Sequence, residues 1–342
     1  MSLPTGSLTS PDRSAERRIS IDTIRDAASV VYDVVVRTPL VRLEPPRPPA
    51  FAQADTPEIF LKLETLQPIG SFKIRGAYNA VRRLPADRLA QGIWTVSAGN
   101  AAQGVALAAR HMGVPASVLV MDTAPDTKLR AIERLGAAIV KAPYEECWRT
   151  VETRRSDRMS GHFVHPFDDD DFISGNGTIA LEILEDLPDV DAVIAPAGGG
   201  GLLAGIASAL KALSPGVGLY SAEPATAAPL ALSLAAGRPC RFDAWERSFV
   251  DGAGGRSVLE TMWPVLRDGV TGSVVVPLDE IARAMALVAE RVHVVAEGAA
   301  GCAVAAAIGR EFAGRGHRKI VAVLSGGNID LPLFARLAGA CA

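Results

Sequence analysis

Apolar positions along the 342-residue chain alternate between two patterns. Short unbroken apolar runs recur at Ile59–Leu63, Ile93–Ser97, Ala116–Met121, Ala138–Lys141, Ala192–Pro196, Leu219–Ala222, Val274–Val276 and Ile320–Leu324. Runs of this length, bounded by turn residues, read as strands buried on both faces. Between them lie Ala-rich stretches with helical spacing: Ala77–Leu84, Ala102–His111, Lys128–Leu135, Ser174–Leu184, Leu203–Ala212, Leu278–Val292 and Ala299–Ala313. An earlier helical pattern covers Ile21–Val36. Arg37-Thr38-Pro39-Leu40 stops it, because Pro39 biases Thr38 away from helical dihedrals. Pro45–Pro49 reads as a loop, the acidic run Asp168–Asp171 as a solvated turn, and Leu331–Ala342 as a terminal helix. Strand–helix alternation predicts an α/β fold with parallel sheets covered on both faces. In such sheets ligands bind beyond the carboxyl ends of the strands, where Gly-rich loops meet helix N-termini.

Composition narrows the function classes. The 35 Lys+Arg and 38 Asp+Glu give a formal net charge of -3 with no basic block, so no nucleic-acid partner is expected. A hydrophobic content of 49% argues against disorder. No apolar run approaches the roughly 18 uncharged residues of a membrane span, so no membrane partner is expected. Residues 1–18 are polar, lack the apolar core of a signal peptide and read as a disordered lead-in. Cys147, Cys240, Cys302 and Cys341 form no C-x-x-C pair and have no His at ligand spacing, which reads as reduced thiols in a cytoplasmic protein.

The chemistry concentrates in four segments. Gly198-Gly199-Gly200-Gly201-Leu202 follows an apolar strand and opens a helix. Without Cβ atoms its backbone N–H groups can turn inward as an anion nest. Gly199-x-Gly201-x-x-Ala204 with Glu223 beyond the next strand also fits a dinucleotide fingerprint, so an NAD-dependent oxidoreductase is the rival reading. Ser97-Ala98-Gly99-Asn100-Ala101 opens a second helix with two hydrogen-bonding side chains at its N-terminus. Ser325-Gly326-Gly327-Asn328 offers a hydroxyl at another strand end. Gly70-Ser71-Phe72-Lys73-Ile74-Arg75-Gly76 places a lysine between apolar neighbours. Desolvation would lower its pKa and make it a nucleophile able to form a Schiff base, although an isolated lysine there also reads as one snorkelling from a helix's first turn. Together the four supply what pyridoxal 5'-phosphate requires: a phosphate anchor, a contact to the ring hydroxyl, a partner for the ring nitrogen and an amine for the aldehyde.

From Leu63-Glu64-Thr65-Leu66-Gln67-Pro68-Ile69-Gly70-Ser71-Phe72-Lys73 onward, the four segments in this order resemble the threonine dehydratase and serine racemase family. Its members are pyridoxal-phosphate enzymes of fold type II, similar to the tryptophan synthase β chain. Smaller echoes are Arg37-Thr38-Pro39-Leu40, His165-Pro166-Phe167-Asp168-Asp169 and Gly175-Asn176-Gly177-Thr178, and the resemblance runs from about Ile19 to about Pro332. It implies two open, twisted, mostly parallel sheets flanked by helices. A large cofactor-binding domain would comprise residues 19–89 and 164–342, and a smaller mobile domain residues 90–163. It further implies that Lys73 is the Schiff-base lysine and base for the substrate's α-proton, that Phe72 flanks the cofactor ring, and that Asn100 bonds the ring hydroxyl. Gly198, Gly199, Gly200, Gly201 and Leu202 would hold the phosphate, and Ser325 would face the pyridine nitrogen. Ser97, Ala98, Gly99, Asn100 and Ala101 would receive the substrate carboxylate. A hydroxyl at the ring nitrogen leaves a weaker electron sink, suited to prompt elimination.

The expected reaction is dehydration and deamination of a small β-hydroxy amino acid, such as L-threonine or L-serine, to a 2-oxo acid and ammonia. Within the fold the alternatives are a dehydratase for 3-hydroxyaspartate or a hydroxyectoine-derived substrate, or an amino-acid racemase. Ala98 stands where serine racemases carry a second serine, so weak or no racemase activity is expected. Ala101 stands where the family usually has His. Of the family's cation ligands, Glu223 and the Ala227 carbonyl match, but Pro229 replaces an Asp, so no metal is expected. With about a dozen residues after Asn328, an effector-binding C-terminal domain is not expected. The family's habit implies a homodimer.

Overall fold

The computed structural model describes residues 17–44 and 57–340; the expected lead-in up to residue 16, the Pro45–Pro49 loop and Cys341 lie outside them. Helix α1 (Ile21–Val31) starts at a reciprocal cap, in which Ser20 Oγ accepts from Thr23 N and Thr23 Oγ1 accepts from Ser20 N. It ends five residues before the expected Val36. There the Gln67 amide donates to Val36 O and accepts from Val36 N, which draws that residue out of the helical ladder. Strand β1 (Leu40–Leu43) pairs antiparallel with β2 (Glu58–Lys62), and α2 (Lys73–Arg82) and α3 (Ala86–Leu89) follow. Then come β3 (Ile93–Val96), α4 (Asn100–Met112), β4 (Ala116–Met121), α5 (Asp126–Arg134), β5 (Ala138–Ala142), α6 (Tyr144–Thr153) and β6 (His162–Phe163). The chain continues through α7 (Asp170–Asp186), β7 (Ala192–Pro196), α8 (Gly201–Leu213), β8 (Gly218–Pro224), α9 (Pro229–Ala236) and α10 (Trp263–Gly269). It finishes with β9 (Gly272–Val276), α11 (Leu278–Val292), α12 (Gly298–Ile308), α13 (Arg310–Ala313), β10 (Lys319–Val323) and α14 (Leu331–Gly339). The expected single helix over Ala299–Ala313 is divided because Gly309 adopts extended backbone, ψ 148°.

The strands form two sheets, one in the order β1-β2-β10-β7-β8-β9 and one in the order β5-β4-β3-β6. Every neighbouring pair is parallel except β1 with β2. The second sheet draws only on residues 93–163. On the six-stranded sheet, Leu61, Ile194 and Ala322 pack under α11 and α12, while Val193, Val321 and Val323 pack under α7 and α8. Both faces are therefore buried, as continuous apolar strands require.

Helix α2 is wedged tightly. A Cβ on Gly175 of α7 would lie 2.4 Å from Arg75 O, and one on Gly76 would lie 2.3 Å from the Phe172 ring. Beneath that contact Arg75, wholly buried, bonds Glu64 (2.8 Å) and Glu182 (2.6 Å), and buried Lys62 also reaches Glu182 at 2.7 Å. The Asp168–Asp171 run is not a solvated turn. Asp168 is 3% exposed and accepts from Arg17, Arg154 and Thr261, while Asp169 caps α7 through Phe172 N. Arg17 and Arg18 also bond Asp170, so the last two residues of the expected lead-in are anchored.

Candidate active site

Strands β2, β10 and β7 run parallel, so their carboxyl ends share one edge, and the segments after them meet there. Gly70 takes φ +67°, a left-handed turn that glycine adopts without strain. The chain then runs beside the segment after β10: Phe72 N donates to Ser325 O (3.0 Å) and Gly327 N to Gly70 O (2.9 Å). Two segments some 250 residues apart are thereby zipped together. Lys73 opens α2 immediately afterwards. Its amine donates to Pro166 O at 2.7 Å and lies 5.3 Å and 5.4 Å from the ring centres of Phe72 and Phe172. Burial pushes the amine down to about 8, opposed by the charge of Glu297. A substantial neutral fraction near neutrality makes it a nucleophile.

The glycine loop follows β7. Gly200 takes φ +91°, and a Cβ on Gly199 would collide with the Phe167 ring at 2.3 Å. Phe167 adjoins the Pro166 carbonyl that holds Lys73, so the lysine and the loop border one space. Among the described residues, no N–H of Gly198, Gly199, Gly200, Gly201, Leu202 or Leu203 has a protein acceptor. The first bond of α8 runs from Ala204 N to Gly200 O at 2.8 Å. Six successive free donors at a helix N-terminus form an anion site of phosphate type.

The loop after β3 supplies a second set. Ser97 Oγ accepts from Gly99 N (3.1 Å), and the N–H groups of Asn100, Ala101 and Ala102 have no acceptor among the described residues. Ser97, Ala98, Gly99 and Asn100 are partly exposed, whereas Ala101 is buried. Asn100 Nδ2 donates to Glu297 Oε1 at 2.8 Å, and Asn100 Oδ1 accepts from Asn328 Nδ2 at 2.7 Å. Burial pushes the Glu297 carboxyl up to about 7, against bonds from Asn100 and the Asn328 N–H. Ser325 is 2% exposed, and its hydroxyl has no partner among the described residues.

All four sequence segments thus meet at one place. Phe172, the Pro166 carbonyl and Glu297 join them without having been read from the sequence. Glu297 had one legible signal, an acid at the N-cap of an Ala-rich helix. Glu223, at the carboxyl end of β8, takes part in none of these contacts. Its oxygens accept from Leu230 N, Ala231 N and Ser273 Oγ, at 2.7–2.8 Å. It is buried and committed, so it is not free for a nucleotide ribose. The donor set at the shared edge fits pyridoxal phosphate: an N–H nest for the phosphate, an aromatic-flanked amine, an amide at Asn100 and a neutral hydroxyl at Ser325.

The family model described as pyridoxal-phosphate dependent enzyme matches residues 31–326. The L-threonine ammonia-lyase of Thermotoga maritima is 36% identical over 322 residues, which is 93% of this chain and 78% of that protein. The serine racemase of Homo sapiens is 42% identical over 279 residues, 80% of this chain and 82% of that protein. Among solved structures, maize serine racemase aligns with a TM-score of 0.83 and 32% identity over 93% of this chain and 96% of that one. Threonine deaminase isoform 2 from Solanum lycopersicum aligns at 0.80 and 31%, over 95% and 97%.

Proposed function

Because the chain belongs to the pyridoxal-phosphate dependent enzymes, we propose that it is an ammonia-lyase converting a small β-hydroxy amino acid, such as L-threonine or L-serine, to a 2-oxo acid and ammonia. The observation that carries this reading is the pairing of a buried amine at Lys73 with Ala98, the position where serine racemases carry a second serine. Ala98 has no proton to give, although the Ser97 hydroxyl, which accepts from Gly99 N, keeps its own hydrogen. When bound, pyridoxal phosphate supplies the electron sink that acidifies the substrate's α-carbon. Lys73 provides the amine that carries the cofactor and then accepts the α-proton. The N–H groups of Asn100, Ala101 and Ala102 at the start of α4 take the substrate carboxylate. Phe72 would flank the cofactor ring, Gly198–Leu202 would hold its phosphate, Asn100 would donate to its ring oxygen, and the Ser325 hydroxyl would serve its ring nitrogen without charging it. Residues 90–163 act as a smaller domain closing over the substrate, with 19–89 and 164–342 as the large domain of a homodimeric, cytoplasmic enzyme.

Racemisation is the second reading, and relatives of that name support it. It requires a proton donor on the face opposite Lys73, where Ala98 offers none. The two are separated by incubating the holoenzyme with a panel of hydroxy amino acids and measuring ammonia, 2-oxo acid and enantiomer ratio together. Net 2-oxo acid release with little inversion is expected; inversion outpacing release would overturn the lyase reading. Lys73→Ala should lower 2-oxo acid formation by at least a thousandfold with circular dichroism unchanged.

A further inference from the structure

We propose that Glu297 is a positioning residue, which with Asn328 clamps the Asn100 side chain so that its amide offers a hydrogen-bond donor, and nothing else, to the cofactor's ring oxygen. The orientation follows from a chain of obligatory roles rather than from the appearance of one amide. Ile69 O can only accept, so the Asn328 group facing it at 2.7 Å is Nδ2. The second hydrogen of that Nδ2 faces Asn100 at 2.7 Å, which makes the facing atom Oδ1. Asn100 Nδ2 then faces Glu297 Oε1 at 2.8 Å, an oxygen able to accept. An amide carries two N–H donors, and among the described residues the second N–H of Asn100 has no acceptor.

Glu297 is itself fixed. It stands at the N-cap position of α12 without a side-chain cap bond, its backbone N–H donates to Gly326 O at 3.0 Å, and a Cβ on Gly326 would lie 2.6 Å from Glu297 Oε1. The carboxylate therefore rests against the Ser325 segment, in the notch that a side chain at Gly326 would fill. Lys73, Lys128 and Asp251 are the charged groups whose fields reach it. The clamp joins α4 of the second sheet's unit to α12 and the segment after β10, so one bond network sets the amide that touches the ring. A donor facing the ring oxygen favours its anionic form; an amide turned the other way would repel it.

The test reads cofactor affinity and the visible absorbance of the bound cofactor, so it stands whether the enzyme proves to be a lyase or a racemase. Glu297→Ala should raise the cofactor Kd by about tenfold, because an Asn100 amide no longer held by Glu297 loses most of its bond to the ring oxygen. It should also shift the absorbance band of the fraction that remains bound. Glu297→Gln, which keeps an oxygen able to accept from Asn100, should restore most of the affinity and the band. Asn328→Ala, which removes the other half of the clamp, should shift the band in the same sense and covers the case in which Glu297→Ala does not fold. A wild-type band and Kd in folded Glu297→Ala, or weaker binding with an unmoved band in either alanine variant, would overturn the assignment.

Discussion

Lys73 has an amine that burial, opposed by the charge of Glu297, holds near a pKa of about 8, against 10.4 for an ordinary lysine. Capture of an aldehyde needs the neutral amine, which in this site predominates above about 8. The rate at which apoprotein takes up pyridoxal phosphate should therefore climb with pH to about 8 and then level off. Stopped-flow absorbance checks this, and a rate still climbing at pH 10 would contradict it. Lys73 was legible in the sequence because a phosphate nest, a polar helix start and a lone hydroxyl accompany it. Glu297 was not, because its partners Asn100 and Asn328 lie some 200 and some 30 residues away in sequence. A carboxyl far from every motif has no local pattern to give it away. Asn176 keeps both polar atoms of its buried amide without a partner, and its packing gives no reason for that.

Among the elements, the long apolar strands and Ala-rich helices were readable because burial on both faces leaves an unbroken hydrophobic signature. The sequence shows no pattern for β1, β6 and α6, nor for the short helices α3, α9 and α10. Strand β1 is an edge, antiparallel to β2 and started by Pro39; β6 has two residues, held by β3. Helix α6 buries only Cys147, Thr150 and Val151, too few to mark a face. Helix α7 starts four residues before the expected Ser174, because of the acids ahead of it Asp168 is buried in an ion-pair cluster and Asp169 is the N-cap. The α2–α7 contact carries its own prediction. Gly175→Ala drives a methyl into the Arg75 carbonyl at 2.4 Å, and backbone cannot move aside as a side chain would. It should cost about 3 kcal/mol in urea unfolding. Gly339→Ala, with open space at its Cβ, should stay within about 0.5 kcal/mol of wild type. Equal effects of the two would contradict the close-packing account.

Across the whole molecule, the loop from β6 to α7 is where the two sheets' units join, and His165 sits in it, 1% exposed. Its Nε2 donates to Val151 O at 3.1 Å, while its Nδ1 accepts from Asp168 N at 2.8 Å and Phe167 N at 3.3 Å, which requires the neutral ring. Burial pushes its pKa down to about 4. Since the folded value lies below the unfolded one near 6.5, the unfolded chain binds the extra proton first. The contribution is present above pH 6.5 and lost as pH falls toward 4, on the order of 3 kcal/mol. Thermal midpoints across that window should fall more steeply for wild type than for His165→Asn; parallel slopes would rule the histidine out as the cause. Further contacts span the two units, with Lys128 of α5 bonding Asp251 and the Arg256 guanidinium lying 5.1 Å from Tyr144 and 4.4 Å from Trp245. The order β1-β2-β10-β7-β8-β9 has a last consequence, for biosynthesis. The four-stranded sheet comes from one contiguous stretch and can form while the ribosome is still working. The larger sheet cannot, because β10, made last of all its strands, fills the gap between β2 and β7. The edge of β2 waits unpaired from residue 62, and that of β7 from residue 196, until residue 323 has left the exit tunnel, and over that stretch the nascent chain is exposed to aggregation.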